Sequence, residues 1–376
     1  MIVRLEKYVG EYRIVSLASE TSVKDDLLDD GLDVIYVTEK SVRLYPGNEV
    51  VSENKHIIEL LQQSHNYDVF ELWEDGKLVE YYDDSSLDNY FFVTSKCNSN
   101  CVMCPSPDLF RKSGENTGVE TLIEIARHIP EDAPHLTITG GEPFMIGKDI
   151  FRFMEFLRDK FEYTEFLLLT NGRVFALDAY THRFKETAPE NIIVAIPVHG
   201  SSKQIHDSIT QVDGSFEQTI QGIKKLLKVG VRVEIRIVVN KMNAADIFDI
   251  ARLICDELSS IEYVSIMAME MTGSARLNMD KVWIPYREAA KAIEEAAILL
   301  LEHEIDVKLY NFPLCTVKNN LWTLCEKSIS PDKVRYSDVC SHCKMRKSCG
   351  GVFAGTISIE KGELKAIAVS YTHLRA

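Results

Sequence analysis

The sequence predicts an α/β protein: a partial (β/α)6 TIM-like barrel, with a small β-rich domain before it and a cysteine-rich, metal-held module after it. Three observations point there. Between about residues 90 and 305, short β-branched runs alternate with longer amphipathic stretches. Residues 1–88 carry short alternating runs with a turn signal between two of them. Past residue 305 the periodic patterns thin out, while five of the nine cysteines crowd together.

In the first 88 residues the strand candidates are RIVSLAS (13–19), LDVIYVTEKSVRLYP (32–46) and VFELWEDGKLVEYYDD (69–84), the last broken by the turn pair Asp75-Gly76. The acidic run KDDLLDDGLD (24–33) reads as solvated loop surface.

In the core, strands are expected at YFFVTS (90–95), HLTITG (135–140), EFLLLTN (165–171), IIVAIPVHG (192–200), RVEIRIVVN (232–240) and YVSIMAMEM (263–271). Between them, apolar residues at three- and four-residue spacing predict helices over 119–129, 150–161, 215–230, 246–258 and 287–305, with Gly230 a stop signal. Six units of about 36 residues match the ~30 or more of a βαβ unit. A full barrel needs eight, so six imply an open, partial barrel or a doubly wound sheet. In both, ligands gather at the carboxyl ends of the strands, where Cys97, Gly141, Asn171, His199, Asn240 and Glu270 fall.

Composition narrows the function. Asp and Glu number 57 against 42 Lys and Arg, a formal charge of −15. With no clustered basic residues, nucleic acid is not expected as a partner. No stretch approaches the ~18 apolar residues of a membrane span. The opening MIVRLEKYVGEYR lacks the apolar core of a secretion signal, so a cytoplasmic location is expected. There, thiols stay reduced and cysteine clusters mean metal or redox chemistry. Two clusters suggest two inorganic sites, while Cys255, alone on a helical pattern, reads as packing. Ser370–Ala376 continue no pattern and resemble a read-through tail.

The loop after the first core strand reads KCNSNCVMCP, a C-x3-C-x2-C. Three thiolates can hold a cubane iron-sulfur cluster and leave one iron without a protein ligand, the open position a catalytic metal requires. A structural zinc site is the alternative, but it normally has four protein ligands. After the second strand comes TITGGEP (137–143), where two glycines permit close backbone approach to a ligand and Pro143 stiffens the exit.

Together the two motifs resemble the radical SAM superfamily, at the positions where that family keeps its defining sequences. The resemblance implies that Cys97, Cys101 and Cys104 are the catalytic ligands of a [4Fe-4S] cluster, and that Gly140, Gly141, Glu142 and Pro143 receive the amino end of S-adenosylmethionine. It also implies reductive cleavage to a 5′-deoxyadenosyl radical that removes a substrate hydrogen. Met103 stands where the family commonly has an aromatic residue near the adenine, and counts among the cofactor-binding candidates. Asn171 and His199 are candidates for cofactor or substrate contact. Arg236, on the strand face opposite Val233, Ile235, Ile237 and Val239, would point inward. Buried there, it needs a carboxylate, either that of the cofactor or that of Glu234 or another barrel acid.

The C-terminal module (306–369) contains C-x2-C-x5-C at Cys340, Cys343 and Cys349, preceded by NFPLC (311–315) and Cys325. This resembles the SPASM and twitch auxiliary-cluster modules of peptide-modifying radical SAM enzymes, with a structural zinc knuckle as the alternative. Phe353 stands where a full SPASM module has a further cysteine, so one auxiliary [4Fe-4S] cluster is expected. Cys315 is favoured as the fourth ligand because Pro313 turns the chain out beside it. Cys325 falls in NNLWTLC, where Leu321 and Leu324 at helical spacing suggest an apolar helix face.

Over residues 90–355 the motifs are most similar to the His-Xaa-Ser system radical SAM maturases of the HxsC type. That resemblance implies a ribosomally made precursor peptide as substrate, a second radical SAM maturase as partner and a flavodoxin- or ferredoxin-type reductant. By position, domain 1–88 would help hold the peptide and domain 89–305 would be the radical SAM core. The other readings are a radical enzyme acting on a small cofactor precursor and a non-catalytic iron-sulfur or zinc scaffold.

Overall fold

The computed structural model describes residues 1–368, so the expected tail at 370–376 lies outside the described residues. In chain order the first elements are β1 (Ile2–Arg4), β2 (Arg13–Ala18), α1 (Thr21–Asp29), β3 (Val34–Val37), β4 (Val42–Tyr45), β5 (Glu49–Ser52), α2 (Lys55–Leu61), β6 (Val69–Leu72) and β7 (Lys77–Tyr82). Then come β8 (Tyr90–Phe92), α3 (Asp108–Ser113), α4 (Val119–His128), β9 (His135–Thr139), α5 (Asp149–Lys160), β10 (Glu165–Leu169), α6 (Asp178–Thr187) and β11 (Ile192–Pro197). After these follow α7 (Lys203–Thr210), α8 (Ser215–Lys228), β12 (Arg232–Val239), α9 (Ile247–Glu257), β13 (Tyr263–Ala268), α10 (Gly273–Leu277), α11 (Met279–Val282) and α12 (Tyr286–Glu302). The last are β14 (Val307–Tyr310), β15 (Cys325–Glu326), β16 (Val334–Arg335), β17 (Val352–Phe353) and α13 (Ala354–Ile357). The chain divides into two compact units. One comprises Met1–Thr94, Asn116–Leu168 and Thr187–Ile192, and the other Ser95–Glu115, Leu169–Glu186 and the described chain from Ile193.

In the first unit a seven-stranded sheet runs β1-β7-β6-β2-β3-β4-β5. All its pairs are antiparallel except β2 with β3. A parallel pair needs a crossover, and α1 supplies it. The acidic run expected to be loop is therefore largely helix: Val23 and Leu27 are buried while Asp25, Asp26 and Asp29 face out. Val15, Leu17 and Phe70 pack with Ile57, Ile58 and Leu61 of α2 in one core, and Ala18 and Val34 with Val23 and Leu27 of α1 in another. Ser16 Oγ meets His128 Nδ1 of α4 at 2.8 Å. The same unit contains the parallel run β8-β9-β10, with Tyr90 opposite Thr137 and Glu165 opposite His135.

In the second unit β11 to β15 pair in sequence, all parallel. Val233, Ile235, Ile237 and Val239 are fully buried on one face of β12, each contributing about 1.5–3 kcal/mol. The opposite face aligns Arg236, Ser265 and Lys308 across three strands. Helix α12 packs on α9 and on β13 and β14; Ala289, Ala290, Ala296 and Ala297 let it approach closely. All six expected core strands form within a few residues of their expected bounds, and the parallel run continues past them into β14 and β15. Asn319–Leu324 form a 3₁₀-helix rather than an α-helical face, and Cys325 begins an edge strand beside Leu309. Among the described residues no helix is long and apolar enough to cross a membrane.

Candidate metal and cofactor site

The loop bearing Cys97, Cys101 and Cys104 belongs to the second unit, which tethers it at nearly every residue. Asn100 N–H donates to Thr210 O (2.9 Å) and Val102 N–H to Ile209 O (2.9 Å), both at the end of α7. Asn171 Nδ2 donates to Asn98 Oδ1 (2.7 Å), and Arg173 Nη1 to Asn98 O (2.9 Å) and Ser99 Oγ (3.3 Å). Asn278 Nδ2 donates to Val102 O (3.0 Å), and Ser274 N–H to Cys104 O (2.8 Å). Val102 and Met103 are buried in an apolar cluster with Ile209, Met269 and Met271. A rigid support of this kind is what a ligand loop needs.

The three thiols share one electrostatic environment. Burial, then the neighbouring Cys104 and Cys97 sulfurs, push the Cys101 thiol up to about 12, against the pull of the Arg111 guanidinium. Bare thiolates are disfavoured there, but thiolates sharing a soft cation are stable. Three thiols on one loop are the number and kind of donor that a [4Fe-4S] cluster with one open iron takes from a protein.

The Gly-Gly-Glu-Pro turn belongs to the first unit. A Cβ on Gly140 would lie 2.3 Å from Thr94 O, so only glycine fits, and Gly141 N–H donates to the same carbonyl at 2.6 Å. Glu142 is buried and its Oε1 accepts from Phe144 N (3.2 Å), while Pro143 starts a 3₁₀-helix.

The remaining sequence candidates have their own surroundings. His199 is buried; its N–H donates to His206 Nδ1 (3.2 Å) and its carbonyl accepts from Asn243 Nδ2 (3.2 Å). Burial and then His206 push its imidazole down to about 3, and burial pushes His206 to about 4, so both rings are neutral. Arg236 Nε lies 3.5 Å from Glu234 Oε1, and Tyr263 OH donates to Glu234 Oε2 (3.3 Å). Asn240 builds a turn, accepting from Met242 N (2.9 Å).

A second cysteine set surrounds a small cavity lined by Cys315, Cys340, Cys343 and Cys349, with Pro313 and Tyr336 in its wall. Backbone N–H groups point at three of these sulfurs: Leu314 and Gly351 at Cys349 (3.4 and 3.5 Å), Ile367 at Cys343 (3.4 Å) and Lys365 at Cys315 (3.5 Å). Such donors stabilise thiolates and tune clusters. Cys325 does not line the cavity, and its thiol donates to Leu321 O (3.7 Å). Sequence reasoning missed Arg111, Arg173, Ser274 and Asn278, which hold the first loop, and Lys365 and Ile367, which close the second site.

Residues 91–254 match the family described as the Radical SAM superfamily, whose members use a [4Fe-4S] cluster and S-adenosylmethionine. The chain is 28% identical over 182 residues to a GTP 3′,8-cyclase of Nautilia profundicola, covering 47% of this chain and 55% of the relative. It is 28% identical over 170 residues to the antilisterial bacteriocin subtilosin biosynthesis protein AlbA of Bacillus subtilis, covering 44% and 36%. The structure of Streptococcus suis SuiB bound to precursor peptide SuiA superposes with a TM-score of 0.48 at 14% identity, covering 58% of this chain and 48% of that one. The chain thus spans about half the length, or less, of these three proteins.

Proposed function

We propose that this chain, which carries a radical SAM domain over residues 91–254, is a radical SAM enzyme that modifies a ribosomally made peptide, with a His-Xaa-Ser repeat precursor as the substrate its motifs favour. When bound, the cluster and S-adenosylmethionine supply one-electron chemistry at a substrate C–H bond. Cys97, Cys101 and Cys104 would hold the first cluster, with their loop fixed by Asn171, Arg173 and Asn278. Gly140 to Pro143, Met103, His199 and Arg236 are the proposed cofactor-binding residues, and Asn171 joins them beside the loop. Cys315, Cys340, Cys343 and Cys349 would hold an auxiliary cluster.

One observation carries this reading: a single compact unit contains a three-cysteine loop and, separately, a four-cysteine cavity. Three thiols leave one metal corner to a small molecule, and four leave none. A second cysteine-rich site fits the SPASM and twitch pattern of peptide-modifying enzymes, and AlbA's part in bacteriocin biosynthesis points the same way. The likeness to GTP 3′,8-cyclase favours a second reading, a small-molecule substrate.

Anaerobically reconstituted protein, given reductant and S-adenosylmethionine, is expected to release 5′-deoxyadenosine, with none above background from Cys97→Ala. A His-Xaa-Ser repeat peptide should raise that release and change in mass. Release with no change in any such peptide would favour the small-molecule reading. A second maturase and a flavodoxin- or ferredoxin-type reductant complete the proposed system.

A further inference from the structure

Arg111 is a charged side chain only 4% exposed, seven residues after Cys104. Its backbone carbonyl accepts from Cys97 N (3.4 Å). Its Nη1 donates to Ser106 O (2.9 Å) and its Nη2 to Asn100 Oδ1 (2.7 Å) and Ser274 Oγ (3.2 Å). Cys104 lies beside the guanidinium. Nε–H is buried with no acceptor among the described residues.

Burying a guanidinium costs several kcal/mol unless an anion compensates it. The one carboxylate in reach among the described residues is Asp108, whose Oδ1 stands 3.4 Å away. That carboxylate is 42% exposed and already pairs with Lys112 at 2.7 Å. The other negative charge nearby belongs to the three cysteines once they are ligands. A [4Fe-4S] cluster with three thiolates carries one net negative charge when oxidised and two when reduced. A fixed cation beside it therefore favours the reduced form more than the oxidised one.

We propose that Arg111 is a positioning residue whose buried guanidinium, beside Cys104 and spanning Asn100 to Ser274, sets how readily the Cys97–Cys101–Cys104 cluster accepts its electron. The electron comes from an external reductant of the ferredoxin or flavodoxin class, and no bond in the protein changes. The inference rests on the cluster assignment above, so wild-type protein must first show an S-adenosylmethionine-sensitive signal from the reduced cluster in electron paramagnetic resonance. If that signal is absent, the cluster assignment fails and the proposal falls with it.

The test is a redox titration of that signal in full-length holoprotein, alongside iron content. Arg111→Gln should make reduction about tenfold less favourable, equivalent to 59 mV for one electron, and Arg111→Lys, which keeps the charge, should shift less. Should the Gln variant lose its iron while the Lys variant keeps iron and a midpoint near wild type, the charge requirement stands. An unchanged midpoint in iron-replete Arg111→Gln, equal shifts in both variants, or loss of iron from both would overturn the proposal.

Discussion

Gly273 stands against the carbonyl of Pro105: a Cβ at this position would lie 2.0 Å from that oxygen and 2.8 Å from the Cys104 carbonyl. The residue also has φ +52, where a side chain is strained. The segment after β13 therefore presses its bare backbone onto the end of the cysteine loop, and the next residue, Ser274, clamps Cys104 O.

Gly273→Ala should accordingly displace the loop. The expected cost is on the order of 2 kcal/mol, read as a lowered unfolding midpoint. The iron bound at Cys97, Cys101 and Cys104 should fall in parallel, while iron at the four-cysteine cavity is retained.

Arg173 ties Asn98 and Ser99 to the rest of the unit and also donates through Nε to Gln218 Oε1 (2.7 Å). Arg173→Met removes charge-assisted hydrogen bonds worth about 1.5–3 kcal/mol. Faster loss of the first cluster on exposure to air is expected, measured as decay of visible absorbance. Asn171→Ala should show a weaker form of the same defect.

The cavity geometry separates the two ambiguous cysteines. Wild type with two cubanes should bind about eight irons per chain. Cys315→Ala should fall toward four, whereas Cys325→Ala, whose sulfur lies outside the lining, should keep the full complement. The reverse pattern would move the fourth ligand to Cys325.

His199 and His206 predict acid sensitivity. Their folded values, about 3 and about 4, lie below the unfolded value near 6.5. Between these limits the unfolded chain binds more protons, so the stability of the neutral pair is complete above about pH 6.5 and is lost as the pH falls toward 4 and 3. Apoprotein unfolding between pH 7 and pH 4 should show this loss. His206→Asn, which keeps an acceptor for the His199 N–H, should flatten the slope.

Much of this was legible from the chain. The core strands announced themselves through β-branched runs, and the cysteine spacings marked the three-cysteine loop and the four-cysteine cavity. Helix α1 did not, because only Val23 and Leu27 among its nine residues are buried, and its charge hid so narrow an apolar stripe. His199 was visible as a strand-end residue, yet its hydrogen bond to His206 was not, because no spacing rule links the two. Arg111, Arg173 and Asn278 act across 11, 75 and 176 positions of sequence. Contacts created by the fold leave no periodic trace.

The donors of Lys365 and Ile367 to Cys315 and Cys343 have a consequence for biosynthesis. Lys344 N–H also donates to Ile367 O at 3.0 Å, so this short return of the chain is stitched to the ligand loop at both sulfur and backbone. While the protein is being made, the first cysteine loop has all its described tethers once Asn278 has emerged. The second site gains its last two sulfur-facing amides only nearly ninety residues later. The four-cysteine cavity is therefore the fastener that closes last, and a chain arrested before residue 365 would present its four thiols without those amides.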